Sequence, residues 1–240
     1  MAEALGWGAL AASALLLGAL IAYHLSPSPG VIAAIMGLGA GLLIGSVSFE
    51  LVDEALKTRT VAGVGLFVLV GAAAFTVGDW LINRAGGADR KDAEGKQAQG
   101  SALAIVLGSV LDGIPESFVL GLTVLQGQVS VSFLAAVLLS NLPEGMSSSS
   151  GLRTAGWSER RVMTMWAAVV VVSALAAGLG YAVLDPGHGL TGALTQAFAA
   201  GALLAMLATT MLPEAYEREG LWTGPLVVLG FAASLALSAV

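Results

Sequence analysis

Two apolar stretches of this chain carry acidic side chains in the same local setting. One reads Leu111-Asp112-Gly113-Ile114-Pro115-Glu116-Ser117, the other Leu139-Ser140-Asn141-Leu142-Pro143-Glu144-Gly145. Each sets an oxygen-bearing side chain four residues before a Glu, on one face of a helix. Each also sets Pro directly before that Glu. An acidic group near the centre of a bilayer costs at least ~2.5 kcal/mol, so it marks an ion path, a proton relay or a buried partner. Proline removes an i→i−4 hydrogen bond, which predicts helices broken here, with the carbonyls of Leu111 and Leu139 released. If the two faces meet, Asp112, Glu116 and Glu144 converge with Ser140 and Asn141 beside them. Three carboxylates in a low dielectric do not all stay ionised without a cation. A divalent metal ion meets that need. The alternative is that the Glu residues are protonated or bond across helices as structural glue.

The elements that must position these residues are membrane spans. Hydrophobic residues make up 57% of the 240 residues and charged residues 11%, against about 25% charged in a soluble domain. The net charge of −6 offers no basic patch for nucleic acid, and the lack of cysteine excludes disulfides, iron–sulfur clusters and thiolate zinc sites. A crossing helix needs about 20 mostly apolar residues. Eight stretches qualify: 4–25, 30–51, 61–81, 101–125, 129–152, 162–184, 189–212 and 221–240. The first lacks a basic leader and reads as a retained helix. The expected fold is an all-α membrane protein of eight transmembrane helices, in a single domain over residues 1–240.

Lys and Arg in short loops set orientation. Arg84, Arg90, Lys91, Lys96, Arg153, Arg160, Arg161 and Arg218 fall on one side, Lys57 and Arg59 on the other. The first side is therefore expected in the cytoplasm and both termini outside. The charged, Gly-rich stretch 84–100 reads as a flexible cytoplasmic linker. Spans 2 and 7 align at an offset of 160, which places Ala40, Gly41, Leu43, Glu54 and Ala55 on Ala200, Gly201, Leu203, Glu214 and Ala215. The two cross in opposite directions, as in the inverted repeats of secondary transporters. This predicts spans 1–3 and 6–8 repeating around spans 4 and 5. An Ala-, Gly- and Val-rich composition suggests a GC-rich bacterium and hence the inner membrane.

The paired Pro-Glu motifs resemble those of the ZIP (Zrt- and Irt-like) metal transporters, whose fourth and fifth spans typically read His-Asn-x-Pro-Glu-Gly. Here the matching residues are Ile114-Pro115-Glu116 and Asn141-Leu142-Pro143-Glu144-Gly145. Ala199-Ala200-Gly201-Ala202 and Leu212-Pro213-Glu214-Ala215 look like the family's seventh span. The resemblance implies uptake of a divalent metal, Zn²⁺ or Fe²⁺ above all, at a site of Asp112, Glu116, Asn141, Glu144 and Ser140. Family members commonly carry His where this chain has Asp112 and Ser140, and Asn where it has Gly113. The sixth span often adds a Glu for a second metal, but Val169 to Leu179 holds no carboxylate, and Ser173 takes that place. An all-oxygen donor set suits harder ions such as Mn²⁺, Mg²⁺ or Ca²⁺ better than imidazole or thiolate would. The expected substrates thus span Zn²⁺, Fe²⁺, Mn²⁺, Cd²⁺ and Co²⁺.

Other residues carry weaker signals. Glu50, Asp53 and Glu54 share i, i+3, i+4 spacing at the outer end of span 2, where they could attract cations or simply be solvated. Asp79 and Glu214 lie towards the cytoplasmic ends of their spans and could form an exit. Ser147 to Ser150 are expected to bond back to helix carbonyls rather than line a path. His24 and His188 fall near the outer ends of spans and read as surface residues. Trp7, Trp80, Trp157 and Trp222 fit an interfacial belt. No His-Glu-x-x-His motif and no base within a span supports an enzyme. The competing readings are a proton-coupled carrier of a non-metal solute and a metal sensor that no longer transports. A homodimer is compatible with either.

Overall fold

The computed structural model describes residues 1–88, 102–125, 127, 129–183 and 189–238. Most of the expected linker, from residue 89 on, and His188 lie outside the described residues. Among the described residues the regular elements are all helical. In order they are α1 (Ala2–His24), α2 (Pro29–Ser46), α3 (Asp53–Thr58), α4 (Val61–Ile82), α5 (Ala102–Leu125), α6 (Val131–Thr154), α7 (Glu159–Val183), α8 (Gly189–Met206), α9 (Leu212–Glu219) and α10 (Thr223–Ser238). The π-helical segments Val47–Val52 and Leu207–Met211 carry α2 into α3 and α8 into α9. These two segments occupy matching positions at the offset seen in the sequence.

Short hydroxyl side chains start several helices, as N-caps do. Ser28, Thr60 and Ser130 accept hydrogen bonds from the N–H groups of Val31 (3.4 Å), Gly63 (3.2 Å) and Phe133 (3.0 Å). Pro29 fits the first turn of α2, where its missing N–H costs nothing. At the far end of α1, Arg153 donates to the carbonyls of Ala22 (3.0 Å) and Tyr23 (3.2 Å) and to the Ser26 hydroxyl (2.8 Å). The Tyr23 hydroxyl in turn donates to the Trp157 carbonyl at 2.8 Å. These bonds tie the end of α1 to the turn between α6 and α7.

Neither proline breaks its helix, contrary to the expectation from sequence. α5 runs through Pro115 and α6 through Pro143. The carbonyl of Leu139, which loses its bond to Pro143, lies against Gly39 of α2, so close that a Cβ there would sit 2.6 Å from the oxygen. Close backbone approach at a glycine lets a neighbouring helix occupy the place of the lost bond.

Glycines set the closest helix crossings, as expected where lipid removes the hydrophobic drive for association. A Cβ on Gly41 would strike the Val227 carbonyl and one on Gly230 the Leu38 carbonyl, which closes α2 on α10. A Cβ on Gly201 would strike Val68 and one on Gly71 would strike Phe198, which closes α8 on α4. Gly18 against Leu142 and Gly145 against Leu15 join α1 to α6, while Gly121 against Ala177 and Gly180 against Phe118 join α5 to α7. Each crossing therefore has a counterpart made the same way. As a result α6 packs on α1 and α2, α5 packs on α7, and the α5 and α6 backbones hardly touch.

Among the described residues, six stretches are long and apolar enough to cross a membrane: Ala2–His24, Pro29–Thr58, Val61–Gly87, Leu103–Leu125, Glu159–Ala182 and Gly192–Ser238. α6 is absent from this set because Ser140, Asn141, Glu144 and the serines after them lower its hydropathy. The last stretch takes in α8, α9 and α10 together. Gly41→Val should lower stability by about 1–3 kcal/mol or more, because its side chain must displace a neighbouring backbone. Gly65, with nothing near its Cβ position, should tolerate Ala. Thermal melting of the two variants in detergent checks the contrast.

Candidate metal centre

α5 presents Ser109, Asp112 and Glu116 on one face, and α6 presents Ser140, Glu144, Ser147 and Ser148 on the opposing one. All are buried: Asp112 is 1% exposed, Glu116 3%, Ser140 1%, Asn141 4% and Glu144 6%. A hydrogen bond crosses between the helices, from the Ser140 hydroxyl to Glu116 Oε1 at 3.0 Å. The same hydroxyl also lies 3.0 Å from the Val137 carbonyl, so its rotamer is fixed by its own helix. Asn141 turns away and donates to the Ala11 carbonyl of α1 at 3.2 Å. Its amide is thereby oriented by α1, with its oxygen free of that bond. Ser173 of α7 faces the same region, since a Cβ at Gly113 would come within 3.3 Å of its hydroxyl.

The three carboxylates do not close on one point. Among the described residues, no three His, Asp or Glu side chains gather closely enough to hold a metal ion. Like charges in a low dielectric repel strongly, and spacing along two helices is the arrangement that relieves this. The structure brings Glu116 together with Ser140, one level above Asp112 and Glu144.

Apolar side chains flank these polar residues in both directions along the helices. On one side Val119, Leu120, Phe133, Ala136 and Val137 belong to a cluster that includes Leu43, Val47 and Leu203. On the other, Ile105 and Leu152 join Leu15, Val162 and Trp166 in a second cluster. The second cluster lies at the end that carries Arg153, Arg160 and Arg161.

Several expectations need correction. Ser147 to Ser149 do not serve mainly to bond back to their own helix. Ser147 donates to Glu214 Oε1 at 2.6 Å, Ser149 accepts from the Trp166 indole at 2.9 Å, and Ser148 has a buried hydroxyl with no partner. The sequence gives no sign of this, because the partners come from α7 and α9. Glu50, Asp53 and Glu54 do not act as one acidic face. The π-helical turn at Val47–Val52 changes the register, so that Glu50 faces Ser130 and Ser132. Asp53 (3.7 Å) and Glu54 (2.7 Å) instead pair with Lys57 at the surface. Asp79 is held by Asn83 at 3.0 Å on its own helix. His24 sits 3.3 Å from Glu159, at the end of the bundle that carries Arg153, Arg160 and Arg161.

Two residues that sequence reasoning passed over are Ser109 and Trp166. Ser109 is marked only by its i, i+3 spacing to Asp112; Trp166, 0% exposed, is the one tryptophan outside the belt set. Asn141→Ala should cost about 1 kcal/mol of stability without any metal present, since it removes a buried hydrogen bond between α6 and α1. An unshifted thermal melt would contradict the role given to the Ala11 bond.

Comparison with curated proteins finds no match to the chain. The family model described as ZIP zinc transporter matches residues 83–238, a stretch that holds both Pro-Glu motifs, the serine run and Glu214. The chain thus belongs to the ZIP zinc transporter family, a family of divalent metal transporters.

Proposed function

We propose that this chain is a membrane carrier, not an enzyme, that moves a divalent metal ion into the cytoplasm through a site between α5 and α6. Asp112, Glu116 and Glu144 supply charge, and Ser140 and Asn141 supply neutral oxygens. The observation that carries the reading is the Ser140–Glu116 bond between two helices whose backbones are otherwise apart. It sets a carboxylate and a hydroxyl oxygen from opposite helices side by side, with Asp112 and Glu144 buried on the same two helices. An entering cation would cancel the repulsion that keeps the carboxylates spaced, and could draw them onto itself. Oxygen donors favour Mn²⁺ and similar harder ions, while family membership favours Zn²⁺.

The eight crossings and the repeat belong to the same proposal. α6 falls short on hydropathy because it carries the site, a cost that polar residues facing a bundle interior can meet. The last apolar stretch is long enough for two crossings and turns at Gly220, whose φ of 58° ends α9. The matched glycine crossings of α2 with α10 and α8 with α4, and the matched π-helical segments, support two halves related by a two-fold axis in the membrane plane. With the Arg-bearing ends in the cytoplasm, both termini lie outside, and the inner membrane of a bacterium is the expected location. An inside-negative potential then drives M²⁺ inward, at about 2.3 kcal/mol per charge per 100 mV.

Glu116→Ala should abolish Mn²⁺ and Zn²⁺ uptake into proteoliposomes, whereas Gly65→Ala in α4 should leave it intact. Uptake that survives loss of the Glu116 carboxylate would overturn the site. Uptake of a non-metal solute coupled to protons, with no metal effect, would move the chain to a different carrier class.

A further inference from the structure

Two hydroxyls near the carboxylates are buried with nothing to bond. Ser109 on α5 is 2% exposed and Ser148 on α6 is 0% exposed, and neither hydroxyl has a partner in the structure. Native proteins seldom leave such groups unsatisfied, so each points to an occupant of polar character. Neighbouring hydroxyls behave differently. Those of Ser147 and Ser149 are taken by Glu214 and Trp166, and that of Ser140 by Glu116.

The two serines lie at one depth. α5 and α6 run antiparallel, because Glu116 meets Ser140 at one level while Ile105 and Leu152 join one apolar cluster at the other. From the Glu116–Ser140 level, Ser109 lies about 10 Å along α5 and Ser148 about 12 Å along α6, at 1.5 Å per residue. Ser109 shares its helix face with Asp112 and Glu116, and Ser148 shares its own with Ser140 and Glu144. One turn further on, those same faces carry Ile105 and Leu152, which close the path together with Trp166. The serines therefore occupy the last polar position before the cytoplasmic seal.

We propose that Ser109 and Ser148 form a second, cytoplasmic-side subsite that receives the divalent ion as a hydrated cation after it leaves the carboxylates. The inference rests on the transport reading above. Neutral hydroxyls bind the ion's retained waters and add no charge, so the ion is held weakly and can leave. A third carboxylate level here would trap it. Movement of the Ile105–Leu152–Trp166 plug then opens the position to the cytoplasm. Hard, well-hydrated ions such as Mn²⁺ suit such a position better than ions that demand nitrogen or sulfur ligands.

The test uses the full chain, with Mn²⁺ as the probe, in wild type and in the Ser109→Ala/Ser148→Ala double variant. Three quantities are measured: melting without metal, Mn²⁺-dependent thermal stabilisation, and Mn²⁺ uptake in proteoliposomes. The double variant should melt no lower than wild type, since no protein hydrogen bond is lost. It should bind Mn²⁺ at the carboxylates within about threefold of wild type, yet take it up about tenfold more slowly. Unchanged uptake would overturn the subsite. So would a lower melting temperature, or loss of binding and uptake together, because either assigns the hydroxyls to the scaffold or to the primary site. Glu116→Ala separates the two claims. Uptake that needs Glu116 but ignores both serines removes the subsite alone, and uptake indifferent to Glu116 removes the transport reading beneath it.

Discussion

Burying carboxylates at membrane depth is the constraint around which this protein is arranged. Asp112, Glu116 and Glu144 are all nearly inaccessible to solvent, and in a low dielectric their mutual repulsion must be met by spacing, by protons or by a cation. The acids are distributed over two helices, α5 and α6, and no three of the described acidic or histidine side chains gather at one point. Hydroxyls and an amide, which carry no charge to repel, occupy the positions between. The polar character of α6 follows directly, and so does its low hydropathy among helices that are otherwise strongly apolar.

The glycine crossings are what make that spacing stable. α6 is clamped to α1 by Gly18 and Gly145, and α5 to α7 by Gly121 and Gly180. Each of these two helices is thus gripped from behind, and their backbones hardly touch each other. The α2–α10 and α8–α4 pairs repeat the device further out, with carbonyls packed where a side chain would otherwise begin. Packing of this kind gives van der Waals contact without demanding polar groups, the form of association that suits lipid. Apolar clusters flank the acids in both directions along the two helices.

Much of this was legible in the sequence. Two Pro-Glu motifs, each with an oxygen-bearing side chain four residues earlier, marked the two helices whose buried polar faces the structure places opposite each other, because a carboxylate in an apolar run is costly wherever it occurs. The offset between spans 2 and 7 rested on a handful of identities, yet Gly41 and Gly201 turn out to make equivalent crossings. Contacts from distant helices were not legible. Ser147 and Ser149 looked as though they would bond back to their own carbonyls, but Glu214 and Trp166 take their hydroxyls instead. The π-helical turn at Val47–Val52 leaves no mark in composition, so the acidic trio beside it was given a single face that the wider turn divides. Proline predicted a break at Pro143 because the lost bond is local, whereas the replacement, Gly39 against Leu139, comes from α2.

The most direct test of the account is metal-dependent thermal stabilisation of the purified protein across Mn²⁺, Fe²⁺, Co²⁺, Zn²⁺, Cd²⁺ and Mg²⁺, repeated for Asp112→Ala and Glu144→Ala. The account predicts a rise in melting temperature with at least one of these ions in wild type, and its loss in both variants. A shift that persists in both variants would place the ion elsewhere in the protein. Absence of any shift in wild type would contradict an ion site between α5 and α6.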